Sequence, residues 1–198
     1  YAWLYLLNNT VTYSFGFFLP IILNGDMGYS TTMSQVLSFP PDAPWIFTTA
    51  WFADRYRKRG IVLIFNCAVS IVGVAMMGLV TTNPAARYAD VFLGVAGANS
   101  NVPTILSYMH NNIVGVMKRS VASALLIGGA AIGGIVASNI FRQQDAPRYS
   151  PAMYAVIATR VVGILHGLNN FVVYSRKNGK ADRGELVLEG QVGFRQKL

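Results

Sequence analysis

The sequence predicts an all-α integral membrane protein, with six transmembrane helices forming one half of a larger bundle. Three observations carry this. Charged residues make up 12% of the 198-residue chain, about half the roughly 25% usual in soluble domains. They are also clustered: residues 1–25, 60–86 and 120–141 contain no Asp, Glu, Lys or Arg, and 91–117 contain only His110 as a titratable group. A bilayer core about 30 Å thick needs about 20 apolar helical residues, and each run is long enough. Finally, most of the basic residues fall between the runs, as the positive-inside rule requires. Disorder and an ordinary water-soluble enzyme are excluded.

The expected spans are about 1–23, 34–53, 61–81, 88–109, 120–141 and 150–174, which together make a half-domain over 1–175. Polar connections with turn chemistry separate them, at Asn24-Gly25-Asp26, Arg57-Lys58-Arg59-Gly60, Asn83-Pro84 and 143–147. The second span is interrupted by Pro40, Pro41, Asp42 and Pro44. Three prolines remove three backbone donors, so this helix is expected to kink or break. Residues 176–198 are polar and mixed in charge, and read as a solvated tail. Loops 54–60 and 110–119 with the early tail hold ten Lys and Arg, against three at Arg87, Arg142 and Arg148 on the other side. Both ends of the chain are therefore expected in the cytoplasm, as an even number of crossings requires.

The net charge of +8 does not point to nucleic acid, because the cations do not form one face. A single cysteine, Cys67, excludes an internal disulfide and a Cys-based metal cluster, and reads as a small buried hydrophobe. No His-x-x-x-His, Cys pair or Ser/His/Asp grouping appears, so neither an enzyme nor a metal or cofactor is expected. The chain opens at Tyr1 with no signal-peptide pattern and is apolar from its first residue. It reads as cut off on its N-terminal side.

Polar groups within spans are costly and ask for a reason. The first span carries Asn8, Asn9 and Tyr13; the fourth carries Asn99 and Asn101 before Pro103. Uncharged amides can line a wet cavity, or simply hydrogen-bond between helices. Asp42 and Arg160 are the charges deepest in the spans. They can pair with each other, Arg160 can meet an anionic substrate, or both can reach the interface by snorkelling. His166 has the chemistry for proton coupling or for a structural hydrogen bond. In the fifth span, Gly129 and Gly133 share one face and Gly134 with Ser138 repeats the spacing. This small-xxx-small pattern lets two helix backbones approach closely.

The loop Asp54-Arg55-x-x-Lys58-Arg59-Gly60 resembles the signature loop of the major facilitator superfamily, in its second-half copy. Asn111-Asn112, Gly115, Lys118-Arg119-Ser120, the Gly-rich helix and Phe141-Arg142-x-x-Asp145-Ala146-Pro147-Arg148-Tyr149 follow in order. That succession is similar to the fungal anion:cation symporter branch, the allantoate and nicotinate permease-like proteins. Tyr13-Ser14-Phe15-x-Phe17-Phe18-Leu19-Pro20 and Gly193-Phe194-Arg195 agree with it. The resemblance covers almost the whole chain, but only the family's C-terminal six helices.

It implies a twelve-helix transporter of two halves, with substrate between them and alternating access. It also implies proton-coupled uptake of a small organic anion such as a carboxylated vitamin or a ureide, at the plasma membrane. By the resemblance, Asp54, Arg55 and Arg59 would form a conformational latch, and Asn8, Asn9, Asn99 and Asn101 would face the cavity; on the chemistry of the residues alone, Tyr13 and Arg160 are further cavity candidates and Asp42 and His166 coupling candidates. The partners implied are the bilayer, the anion with its proton, and a missing N-terminal half or a second copy. Asp42 and Arg160 depart from the family pattern, through tuned substrate choice or relaxed constraint. The other function open to the chain is a non-transporting remnant, scaffold or regulator.

Overall fold

The computed structural model describes residues 1–25, 28, 30–38, 42–56, 58–79, 84–141, 149–191 and 193–197. The described chain is helical throughout its regular structure: α1 (Ala2–Gly25), α2 (Thr31–Ser38), α3 (Asp42–Tyr56), α4 (Arg59–Leu79), α5 (Pro84–Asn112), α6 (Val116–Ala137) and α7 (Ser150–Asp182), then a 3-10 turn at Leu188–Gly190. Three of them, over Arg59–Met77, Val116–Ala137 and Ser150–Asp182, are long and apolar enough to cross a membrane. α1 and α5 are of comparable length, but carry the asparagines singled out above.

The second expected span is two helices, α2 and α3, separated at the proline run. Pro40 and Pro41 lie outside the described residues. Pro44 falls in the first turn of α3, where a missing N–H costs no intrahelical bond. α6 starts and ends about one turn earlier than the 120–141 expected, because Gly115, at φ 101°, turns the chain just before Val116. The stretch read as a solvated tail begins as the last turns of α7, which run past Arg176 to Asp182. The chain then folds back, burying Leu188.

Glycines set the closest approaches. α6 packs on α1, where a Cβ at Gly133 would stand 2.8 Å from the Leu6 carbonyl oxygen and 3.1 Å from the Thr10 nitrogen. At Gly129 it would stand 3.4 Å from the Ala2 carbonyl oxygen, and Gly134 rests against the Tyr13 ring. α4 meets α5 as closely: a Cβ at Gly97 would lie 2.6 Å from the Asn66 carbonyl oxygen, and one at Gly73 2.7 Å from that of Asp90. Gly133, Gly97 and Gly73 leave no room for a methyl group, whereas Gly129 and Gly134 sit at ordinary contact distance.

Two apolar cores result. One gathers Val11, Phe15, Leu19, Val74, Val95 and Val156; the other gathers Leu4, Leu63, Ile105, Met109 and Leu126. Outward faces are apolar too, with Phe47, Ile127, Ile135, Tyr154 and Leu165 exposed. Large hydrophobes outside as well as inside suit a bundle solvated by lipid.

Candidate functional site

Along α1, Leu4, Asn8, Val11 and Phe15 are buried at helical spacing; along α7 the buried stripe is Ala152, Val156, Arg160, Gly163 and Gly167. Ala98, Asn101, Ile105 and Tyr108 do the same on α5. Asn8, Arg160 and Asn101 therefore occupy inward positions that their neighbours fill with apolar residues. They meet between the two cores. Arg160 Nη1 donates to Asn8 Oδ1 at 2.6 Å, and Asn8 Nδ2 donates to the Ala98 carbonyl at 3.3 Å. Asn101 Nδ2 donates to the Leu63 carbonyl at 3.4 Å and to Cys67 Sγ at 3.2 Å.

This cluster ties α7 to α1, α1 to α5 and α5 to α4. Arg160 is only 2% exposed, so it does not snorkel. Among the described residues, its Nε and Nη2 have no hydrogen-bond partner, nor does Asn101 Oδ1. An uncompensated buried charge costs several kcal/mol, so the cluster is a place of high energetic consequence. The space among its side chains is about 10 Å³.

The other expected site residues lie elsewhere. Asn9 is buried but donates to Tyr5, one turn back on its own helix, at 2.9 Å. Tyr13 is 39% exposed and stacks on Phe17. Asn99 is half-buried. His166 is half-buried on α7; six residues from Arg160, it is about 9 Å along the axis and outside the cluster. Asp42 is the first residue of α3; its side chain, and with it the expected pairing with Arg160, lies outside the described residues.

At the basic end, Asp54 near the end of α3 and Arg59 at the start of α4 form a hydrogen-bonded ion pair. Arg55 is exposed and takes no part in it. A cavity of about 360 Å³ opens beside the pair, lined by Ala53, Asp54, Arg59, Asn111 and Lys197. Lys197 is brought there by two backbone bonds with Asn112, its N–H donating to Oδ1 at 2.6 Å and its carbonyl accepting from Nδ2 at 3.2 Å. Asn178 holds Gln196 in the same reciprocal way, at 2.8 Å in both bonds. Arg195–Asp182 and Lys118–Glu189 ion pairs add to the strap.

Sequence reasoning misses three groups here. Cys67 reads from the sequence only as a hydrophobe, yet its sulfur belongs to the polar cluster. Asp90 falls at the edge of the expected 88–109 span. It is 1% exposed inside α5, and one carboxylate oxygen has no partner among the described residues. Asn112 and Asn178 each hold the backbone N–H and carbonyl of a tail residue with one side-chain amide, which no local pattern announces.

The chain is homologous to fungal major facilitator transporters. It is 29% identical over 182 residues to an uncharacterised transporter of Schizosaccharomyces pombe, matching 88% of this chain and 36% of that protein. It is 27% identical over 187 residues to the major facilitator-type transporter hxnP of Emericella nidulans, covering 90% and 37%. With the high-affinity nicotinic acid transporter of Saccharomyces cerevisiae it shares 26% identity over 172 residues, covering 85% and 32%. The chain thus spans about a third of the length of the curated relatives it matches. No protein-family model matches it, and no solved structure does. These relatives are transporters, not enzymes, and the membrane-length helices agree with an integral membrane protein.

Proposed function

We propose that this chain is the C-terminal half of a secondary transporter that carries a small organic anion, such as a carboxylated vitamin or a ureide, together with a proton. The observation that carries the reading is the similarity along 85% of the chain to a nicotinic acid transporter. Six spans would be α1, α2 with α3, α4, α5, α6 and α7, with the basic loops and both chain ends in the cytoplasm of a plasma-membrane protein. Substrate would bind between this half and a second one, and the halves would rock about it.

In this mechanism α1 and α5 border the substrate path, with Tyr13 and Asn99 on their more accessible sides. Asn8, Asn9, Asn101 and Arg160 form the polar wall behind them. Asp54 and Arg59 latch one conformation. Arg59 is partly covered but its partner Asp54 faces solvent, and a pair with one solvated carboxylate contributes only about 1 kcal/mol, which is the right scale for a contact that must break in every cycle. Arg55 serves the latch through the local charge. Proton coupling draws on Asp42, His166 and also Asp90, whose carboxyl can carry a proton within the span.

The test is uptake of labelled nicotinate, allantoate and a panel of small carboxylates by cells expressing the full-length protein. Saturable uptake of at least one, competed by its unlabelled form, is the expected result. Correctly inserted protein with no uptake of any member would overturn the reading.

A further inference from the structure

A groove of about 420 Å³ opens between α3 and α4 on the outside of the bundle, next to the link that holds Arg57 and Lys58. Phe52 and Tyr56 line it from α3, one turn apart; Ile61 and Phe65 line it from α4, one turn apart. All four are about half exposed or more. The Phe52 and Tyr56 rings stack with centroids 5.9 Å apart, and Trp45 stacks on Phe65 at 6.2 Å. The lining is apolar although Lys58 belongs to it. The lysine therefore gives its methylene stem to the groove and keeps its ammonium outside the mouth.

Charge at that mouth is lopsided. Between residues 43 and 86 the charged side chains are one acid, Asp54, and four bases, Arg55, Arg57, Lys58 and Arg59. Arg59 already takes Asp54. Arg55 and Lys58 are exposed and have no ion pair among the described residues. From Lys58 to Phe65 is about 10 Å along a helix, which is less than one leaflet of a hydrocarbon core about 30 Å thick. A hydrocarbon chain suits these walls and a phosphate suits the mouth, and one molecule carries both in that order. A protein helix laid across the groove would instead cut the two free cations off from water and headgroups.

We infer that the α3–α4 groove is a binding site for one anionic phospholipid, with an acyl chain between Phe52 and Phe65 and the headgroup on Lys58 and Arg55. Tyr56, at the mouth, then lies at headgroup level, where amphipathic rings are favoured. The inference rests on the basic end being a membrane surface, and on nothing about what is transported.

The experiment is binding of phosphatidylserine to the purified full-length protein in detergent, read by native mass spectrometry against phosphatidylcholine with the same chains. A preference for phosphatidylserine of about fivefold or more is expected, the increment of one cation at a headgroup. Lys58→Glu should bring the two lipids to within about twofold of each other. Ile61→Trp, which fills the groove, should lower retention of phosphatidylserine. Both positions are exposed, so neither change touches the core. A phosphatidylserine with a diazirine midway along one chain should cross-link within residues 45–65. Equal binding of the two lipids, a preference that survives Lys58→Glu, or cross-links confined to other segments would each overturn the inference. The last is the result expected if a second half covers the groove. Because lipid retention is read, not uptake, the site and the transport reading can fail separately.

Discussion

Arg59 lies at the basic edge of the bundle, where it pairs with an exposed Asp54; Arg160 lies in the interior, where it meets an asparagine. The first charge keeps water within reach, and its partner can leave at little cost. The second has lost its water, and each hydrogen bond it keeps matters more. The same side chain therefore makes a reversible contact in one region and a fixed commitment in the other. Interior seams and polar cluster set the shape of the half-bundle, while the edge, with its latch and strap, is where conformations can be exchanged.

Substitutions should separate the two regions by size of effect. Gly133→Leu places a large side chain where even a Cβ would stand 2.8 Å from the Leu6 carbonyl oxygen. It should cost about 3 kcal/mol or more by forcing α6 from α1, seen as loss of monodisperse protein after extraction. Normal yield would contradict the close seam. Asn8→Leu should cost about 2 kcal/mol, because it removes the hydrogen-bond acceptor of a buried cation; a lowered thermal midpoint checks this. An unchanged midpoint would mean that Arg160 finds another partner. At the edge, Asn178→Ala should cost only about 1 kcal/mol, yet speed tryptic cleavage after Arg195 as the strap is released. Asp54→Asn should have the smallest effect on stability, below about 1 kcal/mol, with a several-fold fall in transport rate. A midpoint lowered as far as in Asn8→Leu would erase the contrast between edge and interior.

The fold is legible where composition alone decides. Charge-free runs mark most of α1, α4, α5 and α6, the proline cluster marks the break between α2 and α3, and the small residues of α6 mark a face for close packing. Less visible are Gly73 and Gly97: each acts through a close approach of α4 to α5, and only the partner helix shows that it matters. The polar cluster is half legible. Arg160 and Asn8 are conspicuous as polar groups in apolar spans, and their buried periodicity with Val156 and Val11 points inward. Their union spans 152 residues of sequence, and no local signal carries it. The strap escapes notice because polar composition reads as solvated, whereas side-chain amides of Asn112 and Asn178 can stand in for a neighbouring strand.

Proton-coupled transport is tested most directly in proteoliposomes containing the full-length protein, loaded with buffer and placed in an inward proton gradient with labelled nicotinate outside. Accumulation above the external concentration, collapsed by a protonophore and slowed by Asp54→Asn, is the predicted result. Equal label in protein-containing and protein-free vesicles, for nicotinate and for every small carboxylate tried, would contradict it.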